Sequence, residues 1–464
     1  MTGRLSALDD SFLTVESANA HMHVGWAAVF RAPERGSPPR FAEFRDHIES
    51  RLCRAPRYRQ KLAPVPLGLN APTWVDDVSF DVNRHVIPSD AHRLADVVDR
   101  CMSEQLPRDR PLWQVWIADR LEDGRIGLAG KAHHCMVDGL AAVELASLLL
   151  DPGPVPPPSP SDSWRPKRPP GPARRMIGAV VDRLIEEASL ARFPARLLRS
   201  PARLAEIAEP AARAGRALAD AMRPARRSPP LNQPITPARH LACFSRPFAD
   251  LRSISRSYGV TVNDVLLAAS AGAMRRFLSD RDGDVGPLKT MVPVNLRVDG
   301  TADDLGNRIS FVFVDLPCDE PDPVRRLQDI HSEMSERKEA GEPEGADTVM
   351  SAVTYLPRVV RHAVSRKIAG PRTYNLTVSN IPGPRERMYM RGCELEAAYP
   401  VVPVSDDHAL SIGMTTIRDQ ACFGLYAASE ALPDADRLGT ELDASINELR
   451  ERSPERSPAA VIAG

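Results

Sequence analysis

The pair His133-His134 stands shortly before Asp138-Gly139, so the chain carries the pattern His-His-x-x-x-Asp-Gly. These residue types suit acyl transfer, because an alcohol must lose its proton as it attacks a carbonyl carbon. A neutral imidazole, with an ordinary pKa of roughly 6.5, accepts a proton near neutral pH and can return it to a leaving thiolate. One histidine is enough, so no covalent enzyme intermediate is required. The pattern predicts a centre that passes an acyl group from a coenzyme A thioester to a hydroxyl.

The two histidines are expected at the end of a strand, and Asp138-Gly139 is expected at the start of an apolar helix. Loops held between regular elements often present catalytic groups. Adjacent strand residues point to opposite faces, so the two histidines should have different roles. We predict that His134 is the general base and that His133 is a buried support. The alternative is a pair of core histidines before a capped helix.

The Asp138 carboxylate has two interpretations. As a helix N-cap, or as the ion-pair partner of an arginine elsewhere, it would fix the loop. In direct contact with His134 it would act on the base itself. Gly139 has no side chain, so it is expected to let a bulky ligand or backbone segment approach closely.

Composition excludes several classes of protein. The 464 residues include 60 Lys+Arg and 61 Asp+Glu, and the net charge of -1 argues against a dedicated nucleic-acid binder. The seven cysteines are scattered and form no CxxC pair, which argues against a disulfide framework or a metal site and favours a reducing cytoplasm. No secretory signal and no apolar run of about 18 residues is visible, so contact with lipid would be peripheral.

The chain divides into four parts by composition and pattern. Residues 1–150 form a first half with the histidine motif, and residues 240–452 form a second half. Residues 151–239 are a Pro- and Arg-rich linker that carries helices, and residues 453–464 are expected to be a disordered tail. Apolar periodicity predicts strands at 23–30, 288–296, 308–316 and 374–378, helices at 40–51, 261–278 and 433–450, and hairpins at 113–119/125–133 and 410–417/421–428. Both halves are therefore predicted to be α+β.

Several short motifs in order resemble the bacterial wax ester synthase/diacylglycerol acyltransferase family. This family belongs to the coenzyme A-dependent acyltransferases that include chloramphenicol acetyltransferase and peptide-synthetase condensation domains. The resemblance covers nearly all the chain outside the linker. It is carried, besides the histidine motif, by Leu5-Ser6-Ala7-Leu8-Asp9 with Phe12, Met22-His23-Val24-Gly25, Arg110-Pro111-Leu112-Trp113, Asn263-Asp264, Pro293-Val294-Asn295-Leu296-Arg297, Leu305-Gly306-Asn307 and Ser379-Asn380-Ile381-Pro382-Gly383-Pro384.

The resemblance implies a fold of two chloramphenicol-acetyltransferase-like halves, each a mixed β-sheet flanked by helices, with a tunnel at their interface. It implies that the second histidine of the motif, His134, is the general base. It also implies long-chain acyl-CoA as co-substrate, no bound cofactor, and diacylglycerol or a fatty alcohol as acceptor. The expected product is triacylglycerol or a wax ester.

Other residues carry weaker expectations. Asn263 and Asp264 either contact substrate or cap a helix. Asn380 either donates to the developing oxyanion or forms a turn before proline. Arg297 could bind the acidic part of coenzyme A, pair with Asp138, or lie on the surface. His23 could line the site or be a satisfied core histidine.

The linker leaves a further alternative open. Its arginines and the amphipathic segment 176–191 could lie on an anionic bilayer, at the inner membrane face or a lipid droplet, or the segment could pack across the two halves. Two other functions compete with diacylglycerol acyl transfer: a condensation-type acyltransferase of secondary metabolism, and a catalytically silent lipid-binding protein.

Overall fold

The computed structural model describes residues 4–33, 35–136, 148–158, 161–181, 222–282, 285–295, 309–341 and 358–454, together with positions 212, 215, 219 and 220. The helix expected to begin at Asp138-Gly139 and the tail from residue 455 lie outside the described residues. Arg297 also lies outside them.

The first half is built on a mixed six-stranded sheet. Its elements are α1 (Ala7–Val15), β1 (His23–Arg31), α2 (Phe41–Arg51), β2 (Gln60–Ala63), β3 (Thr73–Asp76), β4 (Val86–Pro88), α3 (Leu94–Ser103), β5 (Trp113–Ala118) and β6 (Ile126–His133), of which β2 and β3 form a separate small sheet. Strand β6 is buried along its whole length between β1 and β5. The predicted hairpin of β5 and β6 is confirmed, and β4 pairs with β5 in parallel.

The second half is built on another mixed six-stranded sheet. Its elements are β7 (Arg239–Pro247), α5 (Phe248–Tyr258), α6 (Val262–Asp282), β8 (Leu288–Asn295), β9 (Ile309–Leu316), α7 (Pro323–Glu339), α8 (Arg358–Ile368), β10 (Leu376–Ile381), β11 (Tyr389–Met390), β12 (Cys393–Val401), β13 (Leu410–Ile417), β14 (Gln420–Ala428) and α9 (Ala435–Glu451), while α4 (172–181) belongs to the linker. The sheet order is β7-β14-β13-β10-β8-β9, and β10 runs parallel to both neighbours. The predicted α+β fold of two halves is confirmed.

Two strands cross from the second half into the first sheet. Strand β12 pairs antiparallel with β1 from Gly25↔Val401 to Arg31↔Glu394, and β11 extends the same edge. The edge of the first sheet is therefore covered by chain from residues 389–401, which protects backbone groups that would otherwise be unpaired. Sequence periodicity did not predict these strands, because the pairing joins segments more than 360 residues apart.

The two halves share one apolar core. Ala27 and Val97 of the first half pack in the same buried cluster as Leu241 and Leu425 of the second. Burial of this shared surface stabilises both halves together, at roughly 25 cal/mol for each Å² of apolar area removed from water. The relative position of the two sheets is thus fixed by packing as well as by the crossing strands.

The linker is anchored at both of its ends. The buried carboxylate of Asp151 accepts a hydrogen bond from Arg51 at 2.8 Å. Leu231 is fully buried in the shared core, and Asn232 accepts a hydrogen bond from Asn375 at 2.6 Å. Among the described residues, no helix combines the length and apolar character needed to cross a bilayer.

Candidate active site

The histidine motif lies where β6 ends beside the start of β1. His133 pairs with His23 across the two strands, and its N–H donates to the Leu112 carbonyl at 2.9 Å. The N–H of His134 donates to the Met22 carbonyl at 3.0 Å. Met22 holds a left-handed backbone with φ of 48°, an uncommon conformation for a residue with a side chain. The chain thus turns out of the sheet at the motif, between two backbone contacts.

The first histidine is a buried, neutral element of the loop. His133 is completely buried, and its Nδ1 accepts the N–H of Cys135 at 3.1 Å. Its Nε2 lies 3.6 Å from Oε1 of Glu16. Burial lowers the pKa of His133 well below its ordinary value, and the nearby Arg108 acts in the same direction. These contacts suit the predicted supporting role, since the ring holds the turn and stays uncharged.

The second histidine has a different environment. His134 is partly exposed, and its ring stacks on Phe12 with centroids 3.7 Å apart and planes inclined by 17°. Phe12 belongs to α1, so the first helix of the chain covers one face of this imidazole. A partly exposed ring with one protein-covered face can meet a substrate on its exposed side. The arrangement supports the prediction that His134 rather than His133 is the base.

Three buried histidines, His21, His23 and His133, lie close together at the motif. His21 and His23 have ring centroids 5.2 Å apart, and those of His23 and His133 lie 6.4 Å apart. Burial lowers the pKa of His21 and, more strongly, that of His23. Within the described part of the chain, neither ring nitrogen of His23 has a hydrogen-bond partner. The two expected roles of His23, lining the site or satisfied core histidine, both stay predictions.

The remaining predicted site residues are placed as follows. Asp138, Gly139 and Arg297 lie outside the described residues, so their expected roles stay predictions.

Asp264 is buried at the start of α6, where its carboxylate accepts the Thr261 N–H at 2.9 Å and the ring of His331 lies 2.8 Å from it. This is the capping interpretation of Asn263-Asp264. No hydrogen bond, ion pair or ring contact between described residues joins Asp264 to either motif histidine.

Asn380 lies at the end of β10, where it pairs in register with Met414 of β13. Its side chain is exposed. Ile381 still pairs with Thr415, and the chain to Pro384 runs beside β13, where the Pro384 carbonyl accepts the Arg418 N–H. A Cβ atom added at Gly383 would collide with the Thr416 carbonyl oxygen, so glycine is required for this close approach of two backbones.

An apolar cavity of about 260 Å³ lies between the halves. One wall is β1 from Val24 to Phe30, a span of roughly 20 Å at the rise of a strand. The opposite wall comes from the Ile381–Pro384 segment and from β12 and β13, and Leu149 and Leu150 complete it. Because β1 begins beside His133, one end of the cavity lies next to the motif strand. Its lining suits a hydrocarbon chain and offers few polar partners.

Two residues of the site were not predicted from the pattern of residue types. Glu16 forms an ion pair with Arg108 and accepts a hydrogen bond from Gln105 at 3.1 Å, next to His133. Phe12 was noted only as part of the family's opening motif. Both contacts join segments about 100 residues apart, so no local signal could have revealed them.

Comparison with protein families gives two matches in chain order. The model described as the wax ester synthase/diacylglycerol acyltransferase catalytic domain matches residues 5–266. The model of the C-terminal domain of the same enzymes matches residues 305–450.

Whole-chain relatives agree with these matches. A probable diacylglycerol O-acyltransferase of Mycobacterium tuberculosis is 31% identical over 461 residues, which cover 96% of this chain and 95% of that protein. A solved wax ester synthase/diacylglycerol acyltransferase from Marinobacter aquaeolei VT8 superposes with a TM-score of 0.69 at 27% identity, covering 98% of this chain and 100% of the other. The first condensation domain of the CDA synthetase shares the fold, with a TM-score of 0.58 at 15% identity over 98% of this chain and 97% of that one.

Proposed function

Because the chain belongs to the wax ester synthase/diacylglycerol acyltransferase family, we propose that it transfers a long-chain acyl group from acyl-CoA to the hydroxyl of diacylglycerol. The products are triacylglycerol and free coenzyme A, and fatty alcohols are a second class of acceptor that would give wax esters. As a member of this family the chain is an O-acyltransferase. The observation that carries the proposal is the motif geometry, in which one histidine is buried and neutral while the other is partly exposed.

In the proposed mechanism His134 acts as general base. It takes the proton from the acceptor hydroxyl as the oxygen attacks the thioester carbonyl carbon. The tetrahedral intermediate then collapses, the carbon–sulfur bond breaks, and the imidazolium returns the proton to the leaving thiolate. The enzyme ends the cycle unchanged, and the acyl group is never attached to it. General-base catalysis of this kind contributes typically 10²- to 10⁴-fold to a rate.

The neutral state of the neighbouring histidines favours this cycle. Burial keeps His133 and His23 uncharged near pH 7, since it lowers the pKa of each ring well below its ordinary value. A second imidazolium next to His134 would oppose protonation of the base during attack. His133 and His23 therefore line the motif without adding a positive charge that would compete with protonation of His134.

The cavity between the halves is proposed to hold the acyl chain. Its lining is almost entirely apolar, and one end lies beside the motif strand. A structural neighbour, the starter condensation domain of rhizomide synthetase, was solved in complex with C8-CoA, at 13% identity to this chain. By analogy the thioester carbonyl would sit near His134 with its chain directed along β1.

The polar contacts to the reacting groups are part of the proposal. Asn380 is the penultimate residue of β10, and its exposed amide is a candidate donor to the developing oxyanion. Asp138 and Gly139 shape the motif loop, and Arg297 binds the acidic part of coenzyme A or pairs with Asp138. Asn263, next to the capping Asp264, is a further candidate for substrate contact.

Peripheral contact with a lipid surface is also part of the proposal. The strongly exposed apolar side chains of the described residues include Leu67 at 88%, Val359 at 82% and Ile177 at 63%. Hydrogen bonds connect their segments, since Arg358 donates to the Gly68 carbonyl at 2.8 Å and Arg175 donates to the Pro64 carbonyl at 3.0 Å. Exposed apolar side chains among arginines suit an anionic bilayer or droplet surface, where diacylglycerol dissolves.

The decisive experiment measures thiol release from palmitoyl-CoA by the purified protein, with and without diacylglycerol. We expect release that depends on the alcohol, and a His134→Ala variant slower by roughly 100-fold or more. His92 is an exposed histidine of the same half, so His92→Ala serves as the matched control and should keep the rate. A folded His134→Ala variant with unchanged turnover would overturn the mechanism. Faster transfer from a carrier-protein thioester than from acyl-CoA would instead indicate a condensation-type enzyme.

A further inference from the structure

We propose that Phe12 is a positioning residue for the general base, and that its ring face stabilises the imidazolium that His134 forms during transfer. The catalytic part of this inference rests on the proposed function. The geometric part does not, because the stacking of the two rings is a property of the folded chain.

The stack is close and nearly parallel. The centroids of Phe12 and His134 are 3.7 Å apart, and the ring planes are inclined by only 17°. The face of an aromatic ring carries partial negative charge, and a cation within about 6 Å of its centroid is attracted to it. The neutral base gains little from this contact, whereas the protonated ring gains more. The attraction therefore grows as the proton moves from the alcohol to His134, which is when stabilisation accelerates a reaction.

The position of Phe12 is fixed by its own helix and by the motif. Helix α1 begins at a Ser6 N-cap, and the Phe12 carbonyl accepts the Glu16 N–H at 3.2 Å where the helix ends. The Phe12 side chain packs on a small buried cluster that contains Cys135 of the motif and Leu112, whose carbonyl accepts the His133 N–H. The ring can therefore hold the imidazole in one plane.

Helix α1 is also held from the second half. The buried carboxylate of Asp10 accepts two hydrogen bonds from Arg358 at 3.1 Å, and Nε2 of His362 lies 3.3 Å from it. Asp10 and Phe12 are two residues apart, so they occupy different faces of the helix. One face of α1 thus contacts α8 of the second half, and another contacts the base.

Several charged or titratable groups face the motif loop and must be considered with any pH effect. They are Asp9 and Glu16 beside α1, His133 and Cys135 in the loop, and Arg57 and Arg108. Replacing Phe12 by leucine leaves all of them in place. A change in the titration of His134 would therefore report the loss of the ring face rather than a change in nearby charge.

The alternative is that Phe12 only fills space in the small cluster. Leu13 offers the matched control, because it belongs to the same helix and packs against the same cluster but has no ring to stack on His134. A space-filling role predicts similar effects of Phe12→Leu and Leu13→Ala. The proposed role predicts that only Phe12→Leu changes proton binding at the base, and that Phe12→Tyr, which keeps the ring face, restores it.

The test has a kinetic and a direct arm. In the kinetic arm, Phe12→Leu should lower kcat by roughly 3- to 30-fold with KM nearly unchanged. Its acid limb in the kcat/KM profile should move to lower pH by roughly 0.4 to 1.5 pH units, because the protonated form loses its partner. Phe12→Tyr should behave like the wild type, and Leu13→Ala should leave the acid limb in place.

In the direct arm, NMR of protein with labelled histidine follows the titration of His134 without substrate, with His134→Gln to assign the signal. We expect its midpoint at lower pH in Phe12→Leu and at the wild-type position in Phe12→Tyr and Leu13→Ala. The same midpoint in Phe12→Leu and the wild type would overturn the inference. If the wild type transferred no acyl group, the proposed function would fail, while this arm would still decide the role of Phe12.

Discussion

The carboxylate of Asp10 accepts hydrogen bonds from both Nε and Nη2 of Arg358, each at 3.1 Å, and this bidentate ion pair joins the first helix of the chain to the second half of the fold. The two residues are 348 positions apart. Asp10 is almost completely buried, whereas Arg358 keeps a partly exposed side chain. Planar, two-point pairing of this kind fixes orientation as well as distance. The helix that carries Phe12 therefore takes its position partly from α8.

Removing one partner of this ion pair should destabilise the fold. Asp10→Ala leaves Arg358 without its carboxylate, and we expect the free energy of unfolding to fall by about 2–4 kcal/mol. The measurement is urea unfolding followed by circular dichroism. The double variant Asp10→Leu/Arg358→Met should recover part of the loss, because no charge is then left unpaired. Strictly additive losses in the two single variants and the double variant would contradict this pairing.

The cavity predicts a limit on acyl-chain length. Ala28 lines it from β1, and Ala28→Phe would fill the space that the end of a long chain needs. We expect the ratio of rates for palmitoyl-CoA and octanoyl-CoA to fall by about ten-fold or more, since a hydrophobic pocket discriminates strongly against excess methylenes. Ala28→Ser, which keeps the volume, should leave the ratio nearly unchanged. An unaltered ratio in Ala28→Phe would place the acyl chain elsewhere.

The exposed apolar side chains predict binding to anionic vesicles. Replacing Leu67, Val359 and Ile177 together by serine should weaken binding to vesicles of phosphatidylglycerol and phosphatidylcholine by at least about ten-fold. The reason is that three apolar side chains that would enter the bilayer on binding are lost. Vesicle co-sedimentation measures this. Val155 is also strongly exposed but lies in the linker next to the β11–β12 turn, so Val155→Ser is the control. Equal binding by the triple variant and the wild type would rule out this surface.

The ion pair between His240 and Asp99 predicts a pH dependence of stability. Asp99 of α3 holds the His240 ring at 2.7 Å, and this contact, with Asp436 nearby, raises the pKa of His240 to about 9. Below pH 6.5 the ring is charged in both the folded and the unfolded chain, so the stabilisation is fully present. Between pH 6.5 and about 9 the unfolded chain releases its proton first, and the stabilisation is lost as the pH rises through the folded value.

The matched variant for this prediction is Asp99→Asn, which removes the charge but keeps an oxygen for the Leu241 N–H. Unfolding free energies are measured for both proteins from pH 6 to pH 10. The difference between them should be largest at the acid end and should shrink toward pH 9 and above. A difference that is constant over this range would show that His240 does not titrate as described.

Much of the local structure was predictable because it depends on neighbours in sequence. The hairpin of β5 and β6 follows from alternating apolar residues around Glu122-Asp123-Gly124, and the structure has it within one residue of the predicted bounds. The helix at α6 follows from its apolar run after Thr261. Strands β11 and β12 were missed because β12 pairs with β1, at the other end of the chain, and β11 pairs with β12. The turn at Arg391-Gly392 joins β11 to β12 but carries no signal of the pairing between β12 and β1.

The sequence by itself determined the chemistry: the two histidines, their place at the end of a strand, and the expectation that adjacent residues there face opposite ways. Only the tertiary structure decided their environments. His133 is neutral because the surrounding chain buries it and Arg108 lies nearby, and His134 stacks on Phe12 of α1, the helix that the Asp10–Arg358 pair joins to the second half. Residue types identify His134 as a candidate base, but the contact that positions its ring comes from Phe12, more than 100 residues away.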